Sequence, residues 1–208
     1  MTDPLPDRDE NARHAEKAKK RKAAHDKKLS GMTDSKGLII VHTGTGKGKT
    51  SAALGMVFRH IGHGMPVGVV HFTKSEKWNT GEAKLLAKFP ELATLHIMGE
   101  GFTWETQDRE RDIAAARAGW DRARELIRDD RHRMVLLDEL NIVLRYDYLP
   151  IEEIVAVLLD EKPADKHVVI TGRNAHPALI EIADLVTDMT LVKHPFRSGV
   201  KAQRGVEF

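Results

Sequence analysis

The stretch that decides the fold is residues 38–62, LIIVHTGTGKGKTSAALGMVFRHIG. It opens on a β-branched apolar run, passes through alternating glycines, and ends in Leu54, Val57, Phe58 and Ile61, spaced i, i+3, i+4, i+7 as on one helix face. Gly62 supplies a helix stop. A strand, a glycine loop and a helix in that order form a phosphate-binding loop. The glycines let backbone N–H groups turn inward, a lysine meets phosphate charge, and a hydroxyl holds a metal ion. Gly44, Gly46, Gly48, Lys49 and Thr50 fill these roles, and Thr45, Lys47 and Ser51 complete the loop. One departure stands out: the pattern G-x-x-x-x-G-K-[ST] puts a glycine at position 43, where this chain has Thr43.

Outward from the loop, short apolar runs alternate with helical patterns. The runs are LIIVH (38–42), VGVVHF (67–72), LATLHI (92–97), MVLLD (134–138), HVVIT (167–171) and LVTDMTLV (185–192). Near-continuous apolarity in most of them suits parallel strands buried on both faces. Ile113, Ala116, Trp120, Ala123 and Ile127 mark a long helix; Ile151, Ile154, Val155 and Leu158 mark another, beginning near Pro150. The expectation is an α/β fold: an open, mainly parallel sheet of about six strands with flanking helices, of the RecA-like P-loop kind.

Residues 1–36 are polar and Lys-rich and lack the apolar surface to fold alone, so they read as a basic N-terminal arm preceding a P-loop domain at 37–208. Asn11 to Leu29 favours helix when docked, or else forms a solvated arm. Hydrophobic content of 41% is enough for one substantial core, and with no cysteine the chain has no disulfide, thiolate metal site or cysteine nucleophile. No apolar run reaches the ~18 residues of a membrane span, no secretory signal pattern opens the chain, and a cytoplasmic protein with no membrane partner is expected. A formal charge of +2 does not call for a nucleic-acid partner.

The run MVLLDEL ends in adjacent carboxylates, Asp138 and Glu139. At the carboxyl end of a strand they face a phosphate loop and, with Thr50, hold Mg²⁺ or Mn²⁺ directly or through water. Asn141 reads as a site residue or a helix cap. TGRNAHP (171–177) follows another strand, which puts Arg173 and Asn174 at the same edge. Arg173 reads as a phosphate or ribose contact or as a surface-loop residue, and His176 as a cap or surface residue. Nucleotide binding leaves the reaction open, because hydrolysis, phosphoryl transfer and attack elsewhere on ATP all need a phosphate cradle.

TGTGKGKT and LLDELN, together with MGEGFTWETQ (98–107), TGRNAHPALIEIADLVTDM (171–189) and KHPFRSGVKAQRGVEF (193–208), resemble the ATP:corrinoid adenosyltransferases, with the motifs in the same order along the chain. The resemblance implies that a corrinoid cobalt, reduced to Co(I), attacks the 5′ carbon of ATP and expels triphosphate. It implies that Lys49 eases the departure of that anion. Phe102 and Trp104 of GFTWET would press on the lower face of the corrin and keep Co(II) four-coordinate before reduction. Read from composition alone, the same two aromatics are core residues. The family also implies a nucleotide of reversed polarity in the loop, with which Thr43 is compatible, a reduced flavoprotein as electron donor, a homodimer, and a basic arm acting as a lid. Lys193, Arg197, Lys201 and Arg204 read equally as contacts to an anion or as a solvated basic end. The competing class is a RecA-like P-loop ATPase whose basic arm holds nucleic acid. A non-basic sheet domain and an aromatic content of 5% count against it.

Overall fold

The computed structural model describes residues 8–75, 80–99 and 108–207. The chain divides into two compact units, Met1–Ser35 and Lys36–Phe208. The first holds helix α1 (Arg8–Ser30), with two lysines in its last turn. Every residue from 10 to 30 is exposed. A helix that is polar all round has no face to pack with and draws its support from local charge pairs such as Lys20 with Glu16, four residues apart.

The second unit is a six-stranded sheet. Its strands are β1 (Ile39–Thr43), β2 (Val67–His71), β3 (Ala93–Ile97), β4 (Met134–Asp138), β5 (His167–Thr171) and β6 (Leu185–Asp188). Their order is β3-β2-β4-β5-β1-β6, and every pairing is parallel. The open parallel α/β sheet expected from the alternating runs is therefore present. β1, β2 and β4 are buried along their whole length and β5 at all but its first residue, as central strands covered on both faces should be. The edge strands differ: β3 is half-buried and β6 exposed.

Helix α2 (Lys49–Gly62) and the short α3 (Gly81–Leu86) cover one face, where Leu54, Val57, Ile61 and Leu86 meet Val67, Val69, Leu136 and Val169. The other face carries α4 (Arg109–Arg128), α5 (Leu140–Arg145), α6 (Ile151–Ala156) and α7 (Pro177–Ile182), with Trp120, Leu140, Ile154 and Leu179 packed on Val70, Leu137 and Ile170. Each such fully buried aliphatic side chain contributes ~1.5–3 kcal/mol relative to exposure. α6 runs into a π-helical turn (Val157–Glu161), and a 3₁₀ turn (Pro195–Ser198) lies near the end of the chain.

The last apolar run departs from expectation. LVTDMTLV stops being a strand at Asp188: the N–H of Met189 makes the last ladder bond, to Thr43 O of β1 at 2.9 Å, and its carbonyl accepts from Gly46 N of the glycine loop at 2.6 Å.

Candidate functional site

Parallel strands put all their carboxyl ends at one edge. The register sets His42 beside Thr171, Thr43 beside Asp188, and His71 beside Asp138. The chemistry-bearing residues gather along that edge.

The loop between β1 and α2 is bent by two left-handed glycines, Gly44 (φ 96°) and Gly48 (φ 107°). A Cβ on Gly44 would lie 2.4 Å from Asp188 Oδ1, and one on Gly46 2.6 Å from Met189 O. The glycines are thus demanded by close backbone approach as well as by conformation. Gly48 is the N-cap of α2 and makes no side-chain cap, which leaves the first turn's N–H groups and the positive end of the helix facing the loop. Lys49, 6% exposed, arches back to donate to Gly44 O at 2.9 Å and Gly46 O at 2.6 Å. Burial lowers its pKa; the charge of Glu139 opposes this, and the positive charges of Arg173 and Lys47 add to it. Thr50 is half-buried, while Thr45, Lys47 and Ser51 are exposed. Lys47 forms an ion pair with Glu207 near the end of the chain.

Thr43 occupies the position of the missing glycine. Its Oγ1 accepts from the N–H of Ala175 at 3.0 Å, across 132 residues of sequence. The hydroxyl therefore ties the phosphate loop to the TGRNA turn, something a glycine would not do. In that turn Gly172 (φ 129°) and Asn174 (φ 55°) are left-handed, and Arg173 is exposed beside the loop. Asn141, left open by its sequence, lies within α5, whose N-cap is Glu139. Its Nδ2 donates to Gly172 O at 3.0 Å, and its Oδ1 is buried without a partner among the described residues. His176 is the cap of α7: its Nδ1 accepts from Ala178 N at 3.2 Å.

The two acids have opposite surroundings. Asp138 is fully buried and surrounded by donors. His71 Nδ1 lies 2.8 Å and Lys74 Nζ 3.2 Å from its Oδ2, Thr171 Oγ1 donates to its Oδ1 at 2.8 Å, and Thr50 lies close by. Burial alone would raise its pKa, but the hydrogen bond from His71 and the charge of Lys74 hold the carboxyl well below the ordinary range. Glu139 sits in a left-handed conformation, φ 64°, with its N–H donating to Thr171 Oγ1 at 2.9 Å. Its carboxylate takes no side-chain donor among the described residues. Burial pushes its pKa up and the neighbouring Asp138 pushes further; Lys49, Lys74 and Arg173 offset only part of this. A non-glycine residue held at positive φ stores of order 1 kcal/mol, and such residues cluster at functional sites.

Three participants escaped the sequence reading. His71 looks like the last residue of an apolar strand. Lys74, which also pairs with Glu82 at 2.8 Å, looks like a loop lysine. Thr171 looks like the end of β5. Only the order β2-β4-β5 brings them onto Asp138. Phe102 and Trp104 lie outside the described residues. Lys193, Arg197, Lys201 and Arg204 are exposed. Taken together, the edge offers cations and N–H donors for a polyphosphate and oxygens for a divalent ion. No group of three or more histidine and carboxylate ligands forms a metal centre among the described residues. A cation there would thus share its coordination with a ligand's own oxygens.

Comparison with known proteins identifies the family. The sequence model of the family described as ATP:corrinoid adenosyltransferase BtuR/CobO/CobP matches residues 35–208. A corrinoid adenosyltransferase of a Sinorhizobium species is 60% identical over 200 residues, covering 96% of this chain and 93% of that protein. The corrinoid adenosyltransferase of Pseudomonas aeruginosa is 51% identical over 98% of both chains, and that of Salmonella typhimurium 43% identical over 94% of this chain and 98% of its own. Among solved structures, a KaiC-like protein of Pyrococcus horikoshii superposes with a TM-score of 0.47 at 15% identity, covering 74% of this chain and 72% of that one.

Proposed function

Since the chain belongs to the ATP:corrinoid adenosyltransferase family, we propose that it transfers the 5′-deoxyadenosyl group of ATP to the Co(I) centre of a corrinoid, releasing triphosphate, in adenosylcobalamin biosynthesis or salvage. The cobalt of the substrate supplies the electron pair for the new Co–C bond, and the pair of the breaking C5′–O bond leaves with the triphosphate. No side-chain nucleophile is required. What the protein must supply is stabilisation of a leaving group with several negative charges. The observation that carries the reading is the convergence of Lys49, Lys47, Arg173 and the open N-terminus of α2 on one loop. Residues 43–51 cradle the triphosphate, and Arg173 and Asn174 close it from the β5 side.

A divalent cation, Mg²⁺ or Mn²⁺, fits the remaining oxygens. An ionised carboxylate has about four lone-pair sites, and Asp138 already faces three donors, His71, Lys74 and Thr171. The carboxylate without a side-chain donor among the described residues, and so left to touch an ion, is Glu139, with the Thr50 hydroxyl as a second ligand and the charge of Asp138 behind them. When bound, the ion neutralises charge on the departing triphosphate. Phe102 and Trp104 are assigned, on family resemblance, to the lower face of the corrin. A reduced flavoprotein as electron donor, a homodimer and a cytoplasmic setting belong to the same family-based reading. Among the described residues no helix is long and apolar enough to cross a membrane.

The test is to incubate the protein anaerobically with Mg-ATP and chemically reduced corrinoid and to identify the phosphate product. Triphosphate with a light-sensitive adenosylcorrinoid is expected. ADP and phosphate, formed in dependence on DNA or RNA, would instead establish the competing ATPase.

A further inference from the structure

His71 is an expensive residue in its position. It closes a strand, Val67–His71, that is otherwise valine and glycine, and it is 1% exposed. A buried imidazole loses its hydration, and an apolar side chain would fill the same space without that cost. Packing therefore does not explain it. Its Nδ1 is 2.8 Å from Asp138 Oδ2, while its Nε2 is buried with no partner among the described residues. The one side-chain hydrogen bond it makes among the described residues is to the acid of the nucleotide site.

The register makes that contact specific. His71 and Asp138 are direct partners in the β2–β4 ladder, so both side chains leave the same face of the sheet. On the far side of Asp138, β5 presents Thr171, whose hydroxyl donates to the other carboxylate oxygen at 2.8 Å. The terminal torsion of an aspartate is intrinsically broad. One donor on each oxygen, from the strands on either side, fixes the carboxylate plane. A fixed plane in turn fixes how the buried charge faces Thr50, which lies beside it at the start of α2.

We propose that His71 is a positioning residue: with Thr171 as its counterpart it clamps Asp138, and so fixes the buried charge that faces Thr50 and the cation that accompanies the nucleotide. The inference rests on the metal-dependent nucleotide site proposed above. Its consequence is selective. Loss of the clamp weakens the help that Mg²⁺ gives to ATP binding and leaves the loop's direct grip on phosphate alone.

The test is calorimetric titration of ATP into the full chain, with Mg²⁺ and with EDTA, on wild type, His71→Leu and His71→Gln, with a melting curve for each. Leucine fills the space with no donor; glutamine keeps an N–H within reach of Asp138. Outer partners of metal sites commonly contribute 10–100-fold in affinity, so His71→Leu should lose about tenfold or more of the Mg²⁺-dependent gain, keep its EDTA affinity within about twofold, and be largely rescued by glutamine. An undiminished Mg²⁺ gain in His71→Leu overturns the proposal. So does an equal loss with and without Mg²⁺, which would mean a packing role. If His71→Leu does not fold, His71→Met, which also fills the space without a donor, must show the same selective loss, and a wild-type gain there overturns the clamp. A wild-type protein with no Mg²⁺ gain at all is a different failure, that of the metal site itself.

Discussion

Replacing Glu139 by glutamine should make the protein more stable and less active at once. The carboxylate is driven toward its neutral form first by burial and then by the adjacent Asp138 charge, and Lys49, Lys74 and Arg173 do not fully compensate. Its folded pKa is raised, so ionised Glu139 opposes folding. Glutamine keeps the shape and the left-handed backbone at φ 64° while removing that charge. Relieving one strained site residue typically gains ~0.5–2 kcal/mol, and at ~2–4 °C per kcal/mol for a chain of this size the melting temperature should rise by ~1–8 °C. The sign with pH follows from linkage. Below the unfolded value, about 4.3, glutamate is neutral in both states and the two proteins should match; as pH rises above it, wild type loses stability relative to the variant. Scanning calorimetry between pH 4 and pH 8, with EDTA present so that the carboxylate faces no cation, measures this directly. Adenosyl transfer by the same variant should fall by ~10²-fold or more, as for loss of a group stabilising transition-state charge. A variant less stable than wild type at neutral pH, or a difference that does not change with pH, would refute the electrostatic account of this residue.

Two further outcomes bear on the loop. Lys49→Ala removes the ammonium that bridges Gly44 O and Gly46 O. It should abolish ATP-dependent turnover while circular dichroism stays unchanged, and near-normal turnover would remove Lys49 from its assigned role. Gly46→Ala would place a methyl group 2.6 Å from Met189 O and 2.8 Å from Thr190 O. Such overpacking costs ~1–3 kcal/mol, to be read as a lower urea midpoint together with weakened ATP binding; a variant with unaltered midpoint and affinity would mean that the loop and residues 189–190 do not pack as described.

The parts of this molecule legible in the sequence are those whose causes are local. Residues 38–62 carry a strand, a loop and a helix in their own periodicity and glycines, and the stripe from Ile113 to Ile127 announces α4 in the same way. Asp138 and Glu139 were legible because adjacent acids at the end of an apolar strand are uncommon. What the sequence hid depends on partners far along the chain. The run 185–192 reads as a strand throughout, yet the ladder ends at Asp188, and the carbonyl of Met189 is taken by Gly46 of the phosphate loop. Thr43 was visible as an anomaly, but its role required Ala175. His71, Lys74 and Thr171 each look ordinary in isolation, and their meaning comes from the strand order that sets β4 between β2 and β5.

The hydrogen bond from Gly46 N to Met189 O also has a bearing on synthesis. The loop belongs to the first strand made, but the backbone that braces it belongs to the last. A nascent chain emerging from the ribosome can form β1 and wind α2 early, yet its glycine loop lacks the brace on Gly46 until β6 is out and docked. The ability to hold a nucleotide should therefore appear abruptly, once residues 185–190 have cleared the ribosome.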